Sequence, residues 1–453
     1  MKKTFIIYGI YGVFAVMLLL MGSVMGLNHK GYALYILPII LFLAILPLIL
    51  DEAGSVGLIL AWLPFSKGVA QFELGVITIN PYIAGMIALT LLAFFKMIFT
   101  GVRYQFNRLD FIIILLATIY FLSTIMADDV ISSGYLAFHA IFVPVISYFV
   151  CKYYLKTEDD VKKAVIFLVM GIIVFSILAV IQFITTGERV AMLGMPFIGV
   201  ATLTTTGLVF IFGTQNWKKP FWLVSSLIIF LGVVVSFSRV YLAIIIIAPF
   251  MYKMIRKGRG SYLINTVLAV TLIGTLIIAV NPEPFKPAHF DRSLERSFER
   301  ITSLDFWKGS IYGRAYTYHY GLLNFLDAPV IGHGLQKGEV NITIHNFHVE
   351  WLVYSGFIGY MLWSYLFYFH YKRLKKFAVD DKYVATGLLM ISLILTNSVT
   401  NGFLHGVMPT VAFILIGINE AKFLCSRKVE KSTNVVIGRN VNKRILREAR
   451  GDV

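Results

Sequence analysis

The sequence predicts an all-α polytopic membrane protein, and two observations predict it. Hydrophobic residues make up 58% of the chain and charged residues only 14%, with a mean hydropathy of +0.79, which excludes an ordinary soluble domain. Apolar runs of about 20 residues, the length that crosses the hydrocarbon layer, recur from Phe5 to Leu424. The runs do not alternate as barrel strands would, so we expect about 12 to 14 transmembrane helices.

The spans follow from the apolar runs and the short polar breaks between them. In chain order, the predicted spans are residues 5–27, 32–50, 56–70, 81–99, 109–127, 134–151, 164–186, 199–213, 220–236, 240–255, 262–280, 347–371, 383–403 and 407–424. The third span, 56–70, contains Pro64 and Lys67. It therefore predicts a short or broken segment buried among other helices.

The positions of Lys and Arg set the predicted orientation. Most of the 40 basic residues fall in the N-terminus, the tail and alternate loops, which the positive-inside rule assigns to the cytoplasm. Keeping 56–70 as a span preserves this pattern, because its removal would turn Arg103 and Arg108 outward. The net charge of +16 then belongs to loops that face an anionic leaflet, so no nucleic-acid partner is expected. Cys151 and Cys425 fall near this inner face and imply no disulfide or thiolate metal site.

The spans divide the chain into four predicted regions. They are an N-terminal transmembrane bundle (1–280), a large extracytoplasmic helical loop (281–346), C-terminal transmembrane helices (347–424) and a basic cytoplasmic tail (425–453). The long loop stands out because the other connections are short, and loops of that length usually carry function or are disordered. Its aromatic residues and helical patterning favour a folded helical cap over disorder.

Polar residues gather where this loop meets the next span, in the sequence IHNFHVEWLVYSGFIG that begins at Ile344. A histidine can accept a proton near neutral pH, and a helix N-terminus offers free amides to an anion. Spacing alone favours a helix-capping or interfacial role for His345 over that of a base. It leaves two interpretations open for Asn346, a support for His345 or a helix cap. For His348 and Glu350 we favour a structural role.

The order of the motifs in this region resembles the bacterial O-antigen ligase and O-antigen polymerase family. The elements are a helix with Arg314 in the outer loop, the turn APVIGHG with His333, and His345 and Asn346, followed after nine residues by Gly-x-x-Gly. The two glycines, the first of which is Gly356, would permit close packing in the span.

Two further arginines fit the resemblance, which covers the chain from about residue 187 to residue 359 and implies a GT-C-like fold. Arg239 lies in SFSRVYLAI at the outer end of a span, and Arg189 lies in the outer loop ERVAMLGMPFIG. The family often has a Pro-Asn pair after the arginine of that loop, whereas Pro196 is followed by Phe197. The resemblance is therefore closer for Arg239 than for Arg189.

The resemblance implies an inverting membrane glycosyltransferase that uses no metal or other cofactor. It would transfer a glycan from a polyprenyl (undecaprenyl) diphosphate carrier to an acceptor sugar hydroxyl on the outer side of the bacterial cytoplasmic membrane, polymerising repeat units of a capsule, exopolysaccharide or O-antigen. Expected partners are the lipid-linked glycan donor, a glycan or lipid acceptor, membrane lipids, a flippase and a chain-length regulator. The implied catalytic base is His345, and the implied substrate-binding residues are Arg239, Arg314, Arg189, Asn346 and His333.

Other functions remain open from the sequence. A ligase would transfer a finished chain by the same chemistry, and a transporter would move the lipid-linked glycan across the membrane. The transporter is less favoured because few ionisable residues fall in the middle of a span, with Lys67 and His139 the main cases. A non-catalytic scaffold would leave the outward arginines and histidines without a purpose.

Overall fold

The structure is a computed structural model. It describes residues 51–66, 72–74, 77–101, 104–186, 197–215, 219–236, 238–258, 304–335, 344, 346–401, 403–404 and 407–427. Of Arg239, only the backbone is described.

The described chain is almost entirely helical. Its helices are α1 (Glu52–Ala61), α2 (Pro81–Thr100), α3 (Arg108–Ile125), α4 (Val130–Ala137), α5 (Val143–Tyr154), α6 (Glu158–Thr186), α7 (Phe197–Thr214), α8 (Pro220–Val235), α9 (Arg239–Arg256), α10 (Leu304–Asp327), α11 (Phe347–Leu374), α12 (Phe377–Asp380), α13 (Lys382–Asn401) and α14 (Met408–Arg427). A 3-10 turn, Leu63–Phe65, follows α1, and a π-helical turn, Phe138–Phe142, joins α4 to α5.

Six helical segments are long and apolar enough to cross a membrane: Pro81–Thr100, Arg108–Ile125, Val130–Tyr154, Glu158–Thr186, Phe347–Leu374 and Met408–Arg427. Each overlaps a predicted span, so the prediction of a helical polytopic membrane protein is confirmed. The predicted spans 5–27, 32–50 and 262–280 lie outside the described residues. The total number of spans therefore stays a prediction.

The predicted span 56–70 is the place where the local structure differs from a plain helix. Helix α1 begins after Asp51, whose carboxylate accepts from the amide of Gly54, and it gives way to the 3-10 turn. Two strands then pair antiparallel, β1 (Phe72–Leu74) with β2 (Ile77–Ile79). The two strands, which lie just after the predicted span, each alternate apolar and polar residues and are separated by two residues, a pattern that suits a hairpin better than a helix.

Helices α6 and α11 are the centres of packing. Helix α6 contacts α1, α7 and α8, and α11 contacts α3, α10 and α13. We name the two ends of the bundle after residues of α11: the Asn346 end, where this helix begins, and the Lys372 end, where it stops.

Helix α11 is broken at Gly356. This glycine has φ 64° and ψ −169°, so the backbone leaves the helical conformation there. In an unbroken helix, the amides of Phe357 and Ile358 would donate to the carbonyls of Val353 and Tyr354, four residues earlier. The break frees both amides and both carbonyls for other partners.

The turn that follows α10, residues 328–334, takes over all of these groups. Phe357 N donates to Pro329 O (2.8 Å) and Ile358 N to Val330 O (3.3 Å), while His333 N donates to Val353 O (2.9 Å) and Gly334 N to Tyr354 O (3.1 Å). Each of the four backbone groups that the break frees thus gains a partner in the turn. Backbone groups at membrane depth require this, because no water is present to satisfy them.

The turn lies so close to α11 that only glycine fits at the contact. A Cβ on Gly356 would lie 2.3 Å from the carbonyl oxygen of Val330, and a Cβ on Gly332, which has φ 80°, would lie 2.5 Å from the amide nitrogen of Gly356. The contact therefore depends on two glycines, one in the turn and one in the span.

The Lys372 end contains a buried ionic network. The Lys152 ammonium pairs with the Asp110 carboxylate, and both side chains are almost fully buried. Arg373 pairs with the fully buried Glu420 at 3.0 Å, and the Asn107 amide, which caps α3, donates to Glu420 at 3.3 Å. Three spans, α3, α5 and α14, are linked here to the end of α11 by polar contacts.

We predict that Gly356→Ala lowers the stability of the protein by about 1–3 kcal/mol or more, through backbone strain and the clash with Val330. Gly101→Ala is the reference for an alanine at positive φ without a clash, because Gly101 has φ 66° and ψ 9° and nothing lies within 4 Å of its Cβ position. The ψ of Gly356 is −169°, a region that only glycine adopts readily, so the larger destabilisation is expected there. Unfolding of both variants in mixed micelles measures the difference. Equal destabilisation of the two variants would contradict a contact between the turn and α11.

Candidate functional site

The candidate site is built around the first residue of α11. Asn346 has extended backbone angles, and its side-chain oxygen accepts from the amides of His348 (2.9 Å) and Val349 (3.3 Å). It is fully buried. Asn346 therefore caps the helix, whereas its support of His345 and a contact with substrate stay predictions.

A second hydrogen bond links this cap to α10. Tyr318, which is buried on α10, forms a side-chain hydrogen bond with Asn346. Because the oxygen of Asn346 already accepts from two amides, its NH₂ group is the one that donates to the Tyr318 hydroxyl. Gly321, almost one turn further along α10, lies against Val349: a Cβ there would be 2.4 Å from the valine Cγ1 atom.

Arg314 lies one turn before Tyr318 on the same helix and is half-buried. Burial lowers the pKa of its guanidinium, and the nearby Tyr318 hydroxyl opposes this shift. Burial raises the pKa of Tyr318 to about 12, while Arg314 and Asn346 act in the opposite direction. An arginine stays protonated despite such a shift, so the pair consists of a cation and a neutral phenol.

No carboxylate among the described residues lies within ion-pair distance of Arg314. Buried or half-buried cations are normally paired with an anion. The N-terminus of α11 adds partial positive charge on the same side.

Glu350 is a fully buried carboxylate one turn into α11. Its Oε2 atom accepts from the amides of Phe403 (2.5 Å) and Leu404 (3.0 Å), which lie between α13 and α14. This contact fixes the connection between those helices to the start of α11. The structural role that we favoured for Glu350 agrees with this geometry.

Two further histidines lie nearby, and both take part in packing or hydrogen bonding. His348 is buried, and its Nδ1 atom lies 3.1 Å from the Tyr360 hydroxyl, which fits the structural role that we expected. His333 lies in the turn, with Nε2 at 2.8 Å from the carbonyl oxygen of Asn324. A carbonyl can only accept, so Nε2 carries the proton and Nδ1 is the nitrogen that remains for another partner.

Arg239 is the first residue of α9, and the contacts of its neighbour locate that helix start. The Tyr241 hydroxyl lies 2.5 Å from Thr202 Oγ1 on α7 and accepts from Asn397 Nδ2 on α13 at 2.9 Å. Asn397 also contacts Met408 at the start of α14. The start of α9 therefore lies at the Asn346 end, the same end as Arg314.

Two of the predicted site residues lie outside the described residues. These are Arg189 and His345, and His345 directly precedes the described cap Asn346 in the sequence. The described part of the site thus brings together Arg314, Asn346 and the backbone start of Arg239 at one end of the bundle.

Sequence reasoning did not identify Tyr318 or the partners of Glu350. Arg314 and Tyr318 are four residues apart on a predicted helix, so their side chains lie on the same face. This spacing could have identified Tyr318 as a neighbour of Arg314. The contact of Glu350 with the connection between α13 and α14 joins residues more than fifty positions apart, and no local pattern shows it.

No protein-family model matches the chain, and no curated protein matches it.

We predict that Asn346→Ala destabilises the protein by about 0.5–2 kcal/mol, the usual effect of losing an N-cap. Asn346→Ser should retain most of that stability, because a serine hydroxyl can accept from the same amides but cannot reproduce the amide donor to Tyr318. Denaturant unfolding of both variants, with the α3 cap variant Asn107→Ala as a reference, tests this. Wild-type stability of Asn346→Ala would show that the cap contributes nothing.

Proposed function

We propose that the protein is a membrane glycosyltransferase that moves a glycan from a polyprenyl diphosphate carrier to an acceptor hydroxyl at the Asn346 end of the bundle. The observation that carries the proposal is the half-buried Arg314, which lies near the helix start that follows His345 and has no described carboxylate at ion-pair distance. A diphosphate is the anion that such a position fits. The motif resemblance supplies the reaction.

The reaction needs a proton acceptor and a cation in the same place. The acceptor oxygen forms a bond to the anomeric carbon of the donor sugar, and the bond from that carbon to the diphosphate oxygen breaks. The electron pair of that bond leaves with the diphosphate, and attack from the opposite side inverts the anomeric centre. His345 would take the hydroxyl proton. Arg314 and Arg239 would stabilise the negative charge that develops on the diphosphate.

The proposal places this reaction at the outer face of the bacterial cytoplasmic membrane. The distribution of Lys and Arg supports this side, because the Lys372 end carries Lys372, Arg373, Lys375 and Lys376 in close succession. Asn346 then faces outward, where flipped lipid-linked glycans are available. Membrane lipids and the lipid-linked donor are the partners that this location implies.

Polymerisation of repeat units is our first expectation, and ligation of a finished chain is the alternative. Both reactions use the same donor and the same base. Incubation of the purified protein with a polyprenyl diphosphate repeat unit separates them: a ladder of chain lengths on a gel identifies a polymerase, and one new conjugate with an added lipid acceptor identifies a ligase. No product with either acceptor would contradict the proposed function.

The broken helix α11 also suits a transporter of lipid-linked glycans, because transporters often bind substrate at discontinuous helices. In such sites, the freed backbone groups face the ligand. At Gly356, both amides and both carbonyls bond instead to the turn 328–334. The break therefore supports fixed packing here more than an open binding site.

We predict that His345→Ala reduces glycan transfer by about 10²–10⁴-fold, the usual contribution of a general base, without changing membrane insertion. Turnover by purified protein, measured in excess chelator, tests this and the expected independence from metal. His319→Ala is the matched control on the same side of the membrane. Full turnover by His345→Ala would exclude His345 as the base, and loss of wild-type turnover in chelator would contradict metal independence.

We predict that Arg314→Ala weakens use of the donor by about ten- to a hundredfold, because hydrogen bonds to charged groups contribute about 1.5–3 kcal/mol and about 1.4 kcal/mol is a factor of ten. Arg314→Lys should lose less, since the charge survives while the bidentate fork is lost. The same order is expected for Arg239. Arg256→Ala, at the other end of α9, is the control. Equal kcat/KM in all these variants would contradict diphosphate binding by the arginines.

A further inference from the structure

Helix α10 runs beside the first half of α11 and in the same direction. Tyr318 contacts Asn346, Gly321 lies against Val349, and the turn after α10 meets Gly356. The contacts advance in the same direction along both helices, so α10 and α11 are parallel. Helix α10 therefore descends along a helix that is itself long and apolar enough to span the membrane.

The depth of this descent follows from the length of α11. Lys372 is exposed near the end of the helix and marks one boundary of the hydrocarbon. Counting back about 20 residues, the length that crosses it, places the other boundary near Leu352. Gly356 lies about one turn, roughly 5 Å, further in. The turn that fills the break at Gly356 reaches the same depth.

The exposed face of this segment is mostly apolar, with Asn324 and Asp327 as its polar members. On α10 it exposes Tyr320 (37%), Leu323 (47%) and Leu326 (62%), and in the turn it exposes Val330 (58%). In a water-exposed cap, a face of this kind would be unfavourable. Aromatic residues nearer the surface and aliphatic residues below them are instead the order found at a membrane interface.

This face is continuous with the lipid-facing side of α11. Val330 lies at the break, where its carbonyl accepts from the amide of Ile358. Phe357 (55%), Ile358 (40%) and Met361 (51%) are exposed on the span itself. The side chains of a span that are exposed in the monomer face lipid, so the same lipid surface reaches the turn.

Asp327, exposed at the last position of α10, limits how deep the segment lies. An aspartate in the middle of the hydrocarbon costs about 2.5–3.5 kcal/mol or more, so Asp327 lies at the boundary. Val330 then lies just inside the hydrocarbon, and Tyr320 lies among the head groups. The segment is shallow and does not approach the middle of the membrane.

We propose that residues 320–331, predicted from the sequence to lie in an extracytoplasmic cap, form a shallow re-entrant segment whose exposed face lies among lipid head groups at Tyr320 and contacts acyl chains at Val330. Membrane lipid is the occupant because the face continues the lipid-facing surface of α11 and because its backbone bonds are satisfied internally by that helix. The segment anchors α10 to the membrane surface. This inference does not depend on the proposed enzymatic activity.

Spin labels on single cysteines test the depth directly. Tyr316→Cys, Leu326→Cys and Val330→Cys are labelled in the full chain, reconstituted in nanodiscs so that both membrane faces are accessible. Leu91→Cys, at an exposed position of the span α2, is the lipid reference, and Asp380→Cys, at the exposed end of α12, is the water reference. The natural cysteines, Cys151 and Cys425, are buried, so the labelled wild type measures the background.

We expect relaxation by oxygen to exceed relaxation by a water-soluble nickel chelate several-fold at Val330, as at Leu91, with an intermediate ratio at Leu326 and the lowest ratio of the three at Tyr316. Ratios like that of Asp380 at Val330 and Leu326 would overturn the proposal, because they would place the segment in water. Protection of both positions from both reagents would also overturn it, because a protein partner or a second copy would then cover the face.

Discussion

The exchange of backbone hydrogen bonds at Gly356 is the constraint on which the described structure depends most. A backbone amide or carbonyl without a partner in hydrocarbon costs several kcal/mol, so a spanning helix can break only where another segment supplies replacement bonds. The turn 328–334 supplies them for both sides of the break. This fixes the end of α10 against α11, and the hydrogen bond between Tyr318 and Asn346 at the start of α11 depends on that placement. A single glycine with positive φ thus determines where a helix from another part of the chain can lie.

Charges are buried at both ends of α11, but they are stabilised in different ways. At the Lys372 end, Glu420 pairs with Arg373 across two helices, so opposite charges compensate each other. At the Asn346 end, Glu350 accepts from backbone amides, and Arg314 faces the neutral Tyr318 hydroxyl. A paired network of the first kind suits the joining of helices. No carboxylate among the described residues pairs with Arg314, and the Asn346 end is therefore where we propose the chemistry.

The sequence predicted the described spans well because hydropathy is a local property: each apolar run forms its own helix whatever it packs against. The break in α11 could not be predicted in the same way. Gly356 suggested close packing, but a glycine fits a helix, a break or a turn equally by sequence, and only the approach of residues 328–334 decides among them. Asp110 and Lys152 lie at the ends of the predicted spans 109–127 and 134–151. Their ion pair joins positions 42 residues apart, so no local pattern predicts it. The predicted orientation of the chain in the membrane depends on the distribution of Lys and Arg. The predicted role of His345 depends on the motif resemblance.

The rigidity of this arrangement bears on what the site can select. Any movement of Arg314 relative to the start of α11 would break the hydrogen bond from Asn346 to Tyr318 and strain the backbone bonds around Gly356. These bonds therefore restrain α10 against the start of α11. Fixed donors stabilise charge that develops during a reaction better than mobile ones do, because they need no reorganisation. In the proposed reaction, however, they would contact only what every donor of this class shares, the diphosphate and the departing oxygen. Selection among sugars and acceptors has to come from groups outside this rigid set.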